Sequence, residues 1–186
     1  AEQRGLPLPS YELWEERRGI LSFTTATVYG GLMAAANISD IFYHTEKSTL
    51  YRKTAAQIKK AIDQYLYSEK HERFLRMIYP KKDGGYEIDA TIDASLYGMF
   101  AFGVYEPTDI KIQNTMKAIE ESLWVKTNIG GIARYEHDQY QRVGNDDAIP
   151  GNPWIICTMW LAQYYVSTAK SVEDLERVVN YLRWTV

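Results

Sequence analysis

The sequence predicts an all-α chain whose helices nest in two layers. Three observations carry this. Apolar residues recur at helical spacing in one stretch after another. The stretches alternate between apolar nearly all round and apolar on one face. No segment alternates with the period of two that a half-buried strand needs. Helices apolar on most sides touch several neighbours and form an inner layer, whereas amphipathic ones keep a face in water and form an outer layer. An α-solenoid of helical hairpins would alternate similarly, but no sequence repeat at a fixed period is found. The 186 residues fit one domain or a large piece of one. Hydrophobic residues make up 46% and charged ones 24%, enough apolar surface to offset chain entropy and exclude disorder.

Taken in order, residues 1–10 contain Pro7 and Pro9 and read as an extended entry strand or loop. A helix begins near Phe23 and runs through VYGGLMAAANIS. Its Gly30–Gly31 pair is costly there unless another element packs closely. A second helix, from about His44 to Tyr67, places Ala55, Ile58, Ile62 and Leu66 on one face. PKKDGGYEID is read as a turn with Asp83-Gly84-Gly85 at its tip. A third helix, Ala90 to about Gly103, is apolar nearly all round. A fourth runs from Pro107, suited to a first turn, to Trp124, with Ile112, Met116, Ile119 and Leu123 on one face. Residues 127–151 form a long loop of the kind that often carries function. Asn152-Pro153 reads as a cap followed by proline at the first position of an apolar helix, WIICTMWLAQYYV. The last helix starts at Ser171, with Glu173 and Asp174 in its first turn and a stripe of Val172, Leu175, Val179 and Leu182.

Several function classes are disfavoured. A net charge of −3 argues against nucleic acid, because a phosphate backbone selects a basic face. No uncharged apolar run is long enough to span a bilayer, and no leader-like segment opens the chain, so a cytoplasmic location is expected. A single cysteine, Cys157, cannot form an intrachain disulfide. On its apolar helix it reads as core rather than nucleophile. His44, His71 and His137 lack zinc spacing, and Asn145-Asp146-Asp147 lacks the EF-hand pattern that calcium binding would show.

Two constellations could carry chemistry. The first is Tyr11-Glu12-Leu13-Trp14-Glu15-Glu16-Arg17. Adjacent carboxylates repel, and burial against an indole penalises ionisation, so one of the pair is expected to hold its proton and to be able to donate it. The plainer reading is a charge cluster, with Glu15 and Glu16 solvated or paired to Arg17 and Arg18. The second is Gly130-Gly131-Ile132-Ala133-Arg134-Tyr135-Glu136 with Asp138. An arginine held beside carboxylates can fork two hydroxyls of a polyol, while the plainer reading is a loop salt bridge.

Together, SYELWEERRGILSFTTATVYGGLMAAA and GGIARYEHDQY with IPGNPWIICTMWLAQYY resemble the glucoamylase family, glycoside hydrolase family 15, in its prokaryotic and archaeal form. DASLYGMF is a weaker match, and the likeness covers most of the chain. The resemblance implies an (α/α)6 toroid of which this chain supplies about three inner/outer hairpins. It implies hydrolysis of α-glucosidic bonds with inversion, by two glutamates roughly 6.5–9.5 Å apart. By motif, Glu15 matches the general acid, and Glu16 matches a residue that bonds sugar hydroxyls near the scissile bond. Trp14 matches an aromatic wall of the cleft, Arg134 the arginine that holds substrate, and Asp138 a supporting carboxylate. The partner implied is an α-glucan or α-glucoside; no metal or organic cofactor is required, since such hydrolysis needs only placed carboxylates and water.

The chain departs from the family pattern in two places. The family's base lies beyond its GNPW helix, in a PEQ-like segment that this chain lacks, and its early Arg-Asp sugar clamp is also missing. The expectation is therefore a partial catalytic domain over residues 1–186, truncated at both ends and inactive alone. An opened half-ring is expected to expose apolar surface and self-associate. A non-catalytic carbohydrate-binding or regulatory domain of the same fold is the alternative. Either way the expectation is that Glu15 and Arg134 converge on one hollow.

Overall fold

The computed structural model describes residues 4–144 and 146–185. Residues 1–3 of the entry segment, Asn145 of the Asn145-Asp146-Asp147 stretch and Val186 lie outside the described residues. The chain forms two compact units, Ala1–Ala90 with Gly98–Tyr105, and Thr91–Tyr97 with Glu106–Val186.

In the first unit, β1 (Ser10–Tyr11) and β2 (Arg18–Leu21) lead into α1 (Ser22–Ile41), which packs against α2 (Thr45–Tyr65). The predicted face of α2 is buried at Ala55, Ile58 and Ile62, and Leu66 just beyond it. Gly30 answers the expectation of a close approach. A Cβ there would meet Phe102 Cβ and its carbonyl oxygen, both at 3.1 Å. Nothing lies within 4 Å of a Cβ built at Gly31.

Beyond the extended entry segment, strands appear where none was predicted. β3 (Tyr67–Ser68) pairs with β4 (Arg73–Phe74). β5 (Met77–Pro80) and β6 (Tyr86–Asp89) form a hairpin around Gly84, and the antiparallel order is β1-β2-β5-β6. Ile20 lies opposite Ile78, and Leu21 opposite Met77. These strands have two to four residues, too short to display a period of two, so the sequence shows the turn alone.

The predicted third helix is broken. A 3-10 turn, Ala94–Tyr97, belongs to the second unit, while α3 (Gly98–Ala101) belongs to the first and packs on α1. The Asp93 carboxylate accepts from the Ser95 amide at 2.8 Å, a local bond that competes with helix, and Gly103 ends the segment at φ 71°.

The rest of the second unit is α4 (Ile110–Leu123), α5 (Ile155–Thr168) and α6 (Val172–Trp184). α4 buries its predicted face, but its cap is Asp109, which accepts from the Lys111 amide at 2.8 Å; Pro107 precedes the cap. Trp154, not Asn152, caps α5, because the Asn152 side-chain amide donates to the carbonyls of Tyr140 and Gln141 instead. α5 is less enclosed than predicted: Ile155, Ile156 and Val166 are exposed. Ser171 caps α6 in a capping box with Asp174. The α6 stripe, however, faces outward, and the buried residues are Val178 and Tyr181.

Candidate functional site

The first constellation is the loop between β1 and β2. The Glu12 amide donates to the Arg17 carbonyl at 2.9 Å, and the Glu15 amide donates to the Glu12 carbonyl at 3.0 Å, closing a tight turn. Glu15 sits at φ 60°, in the left-handed region that a side-chain-bearing residue enters only where its surroundings enforce it. Trp14 is half-buried, and Glu15 and Glu16 are both exposed. The buried carboxylate of the loop is Glu12, at 5% exposure, a member of the first constellation with no role assigned to it. Pairing Tyr11 with Arg18 across the hairpin turns residue 12 inward, a register visible only once β1 and β2 are known.

The second constellation is built on an extended ribbon. Ala133 donates to the Leu123 carbonyl at 2.9 Å, and Val125 to the Gly131 carbonyl at 2.8 Å. From the other side Trp154 donates to the Ile132 carbonyl at 2.8 Å, and Ala94 to the Arg134 carbonyl at 2.8 Å. Nε and Nη2 of Arg134 each donate to one carboxylate oxygen of Asp138 at 2.7 Å, a bidentate fork with side chains 4% and 0% exposed. The Tyr140 amide adds a bond to Asp138 at 2.9 Å. The guanidinium carbon stands 5.2 Å from the Tyr135 ring, 4.8 Å from Tyr140 and 5.2 Å from Trp154. Of these residues, Arg134 and Asp138 carry roles assigned from the sequence, and Tyr135, Tyr140 and Trp154 carry none. Such a cage holds a planar cation rigidly, and the fork itself is the loop salt bridge of the plainer reading.

Cys157 is buried on α5. Burial pushes its thiol above the ordinary range, with Asp93 reinforcing the shift and Arg134 opposing it, which fits the core reading of this residue. His44, His71 and His137 are exposed, and among the described residues no group of three or more His, Cys, Asp or Glu is placed to hold a metal. No helix among the described residues is long and apolar enough to cross a membrane.

The family model of glycosyl hydrolases family 15 matches residues 5–182. The chain belongs to that family. Among curated family relatives, an uncharacterized glycosyl hydrolase of Methanocaldococcus jannaschii is 35% identical over 167 residues, 89% of this chain and 24% of that protein. A glucoamylase of a Clostridium species is 27% identical over 186 residues, 88% of this chain and 26% of that protein. The chain thus spans about a quarter of the length of these relatives. Among solved structures, a bacterial glucoamylase complexed with acarbose superposes with a TM-score of 0.76 at 24% identity, covering 96% of this chain and 29% of that one. Glucoamylase from Saccharomycopsis fibuligera gives 0.63 at 18% identity, covering 84% and 34%. These structural likenesses show the fold, a mainly helical part of the family's (α/α)6 toroid.

Proposed function

We propose that this family 15 chain is part of the catalytic domain of an inverting hydrolase of α-glucosidic bonds. Glu15 is its proton donor, Trp14 and Glu16 contact the sugar beside the scissile bond, and Arg134, backed by Asp138, holds sugar hydroxyls. The observation that carries this reading is Glu15 at an exposed left-handed turn directly after half-buried Trp14. That placement leaves the carboxyl open to solvent rather than turned into the core, which supports the role of donor. In the reaction Glu15 transfers its proton to the glycosidic oxygen as the anomeric C–O bond breaks. Water adds from the opposite face and gives its proton to a second carboxylate. No residue of this chain is assigned that second role, so the chain alone is expected to turn over little substrate. Losing base catalysis costs roughly 10²–10⁴-fold. An α-glucan or α-glucoside is the substrate class, and a reducing compartment such as the cytoplasm suits the single thiol.

Maltotriose titration by calorimetry tests the reading. Saturable binding that survives Glu15→Gln and weakens at least about tenfold in Arg134→Lys is expected, since lysine cannot reproduce a planar fork. No saturable heat with the unmodified chain overturns it. Glucose release by the chain alone, abolished by Glu15→Gln, would show instead that the second carboxylate lies within residues 1–186.

A further inference from the structure

Arg134 sits three residues after Gly131, and two indoles close on the glycine pair that starts its ribbon. Gly130 and Gly131 have φ of 73° and 84°, a double left-handed turn open to glycine. A Cβ on Gly130 would lie 2.9 Å from Cζ2 of Trp124, the cap residue that follows α4. A Cβ on Gly131 would lie 2.7 Å from Cη2 of Trp184, the last residue of α6, and 2.8 Å from Pro153 Cβ. Trp184 also donates its Nε1 proton to the Ile129 carbonyl at 2.6 Å. The turn is thus pinched between the C-terminal ends of two helices and bonded to one of them. The ladder bonds of the ribbon begin at Gly131 itself, so the turn sets the register in which Ile132, Ala133 and Arg134 are held.

We propose that Trp184 and Trp124 are positioning residues for Arg134, acting through the Gly130–Gly131 turn. This rests on the role given to Arg134 above, but the geometry is local to one unit and its test needs no sugar. Trp184 has the larger share, because it both packs on Gly131 and bonds Ile129. Removing it frees the entry of the ribbon, and a one-residue slip there would turn Arg134 to the opposite side, away from Asp138.

The Arg134 Nε–H resonance, donated to Asp138, reports this directly in the 186-residue chain by NMR. Arg76 Nε–H, donated to Asp89 at 3.0 Å in the other unit, serves as the internal control. In Trp184→Ala the Arg134 Nε–H is expected to shift and to exchange with solvent at least about tenfold faster, the scale of one lost hydrogen bond, while Arg76 stays unchanged. Trp184→Phe keeps the ring over Gly131 and loses the bond to Ile129, so an intermediate acceleration is expected. A folded Trp184→Ala with an unmoved Arg134 signal overturns the proposal, as does acceleration at Arg134 and Arg76 alike, which marks a general loosening. If the alanine variant fails to fold, Trp184→Phe decides by the same two signals. Maltotriose that fails to bind the unmodified chain would remove the functional reading and leave the positioning result standing.

Discussion

Arg134 and Asp138 show how much depends on one buried pair. With side chains 4% and 0% exposed, each is neutralised by the other. Removing one partner strands a charge in a place that water reaches poorly, which costs far more than the pair contributes over apolar packing. Asp138→Ala is therefore expected to destabilise the chain by about 3–5 kcal/mol. Urea unfolding followed by circular dichroism checks this, and a loss below about 1 kcal/mol would mean that the guanidinium finds water or another acceptor. Arg134→Met, which removes the charge and keeps most of the volume, serves for comparison. Glu15 differs in kind: it is exposed, and its turn depends on backbone bonds rather than on its carboxyl, so Glu15→Gln is expected to leave stability unchanged.

Between helices, Glu120 of α4 joins three donors. Tyr165 of α5 donates to it at 2.5 Å, Tyr181 of α6 at 2.6 Å, and Arg177 of α6 forms an ion pair with it. Burial first, then the bond to Glu120, pushes the Tyr181 phenol up to about 12, and the Tyr165 phenol higher still. An unfolded phenol ionises near its ordinary value of 10.0. Above that value the unfolded chain has lost a proton that the folded chain keeps, so stability falls as pH rises from about 10 to about 12; below 10 the contribution is intact. Thermal melts across that range should show a falling midpoint, and Tyr181→Phe should flatten part of the fall. A midpoint equally steep in Tyr181→Phe would assign the loss elsewhere. This cluster also accounts for the turned face of α6. The stripe Val172, Leu175, Val179, Leu182 is readable as apolar, but the bonds of Tyr181 to Glu120 and Arg177 draw the adjacent face inward, and no periodicity records a hydroxyl partner. The faces of α2 and α4 were legible because apolar side chains alone decide them, as was the start of α6, whose cap is local. The short strands were not, because their pairing is set by residues far along the chain. The same holds in the candidate site: Arg134 with Asp138 is a local i, i+4 pair and could be read from spacing, whereas the burial of Glu12 depends on hairpin register.

For the molecule as a whole, scattered apolar residues on a surface need no explanation, but rows of them do. On α6, Val172 is 77% exposed, Leu175 37%, Val179 40% and Leu182 49%, a single row with the three- and four-residue steps of a coiled-coil seam. Such a row is self-complementary, so a second copy can bury it across a two-fold axis without any new surface. Ile38, Ile41, Phe42, Tyr43 and Leu50 add a second exposed group where α1 meets α2. A net charge of −3 spread over 186 residues opposes association only weakly. The chain is therefore expected to self-associate, with a light-scattering mass that climbs with concentration. Val179→Glu with Leu182→Glu should return it to the monomer mass, because two buried charges at a two-fold seam face their own copies. These substitutions lie on the exposed face, so helix content should be unchanged, which separates lost association from lost folding. A constant monomer mass in the unmodified chain, from micromolar to millimolar concentration, would show that the row is too narrow to offset the entropy of association.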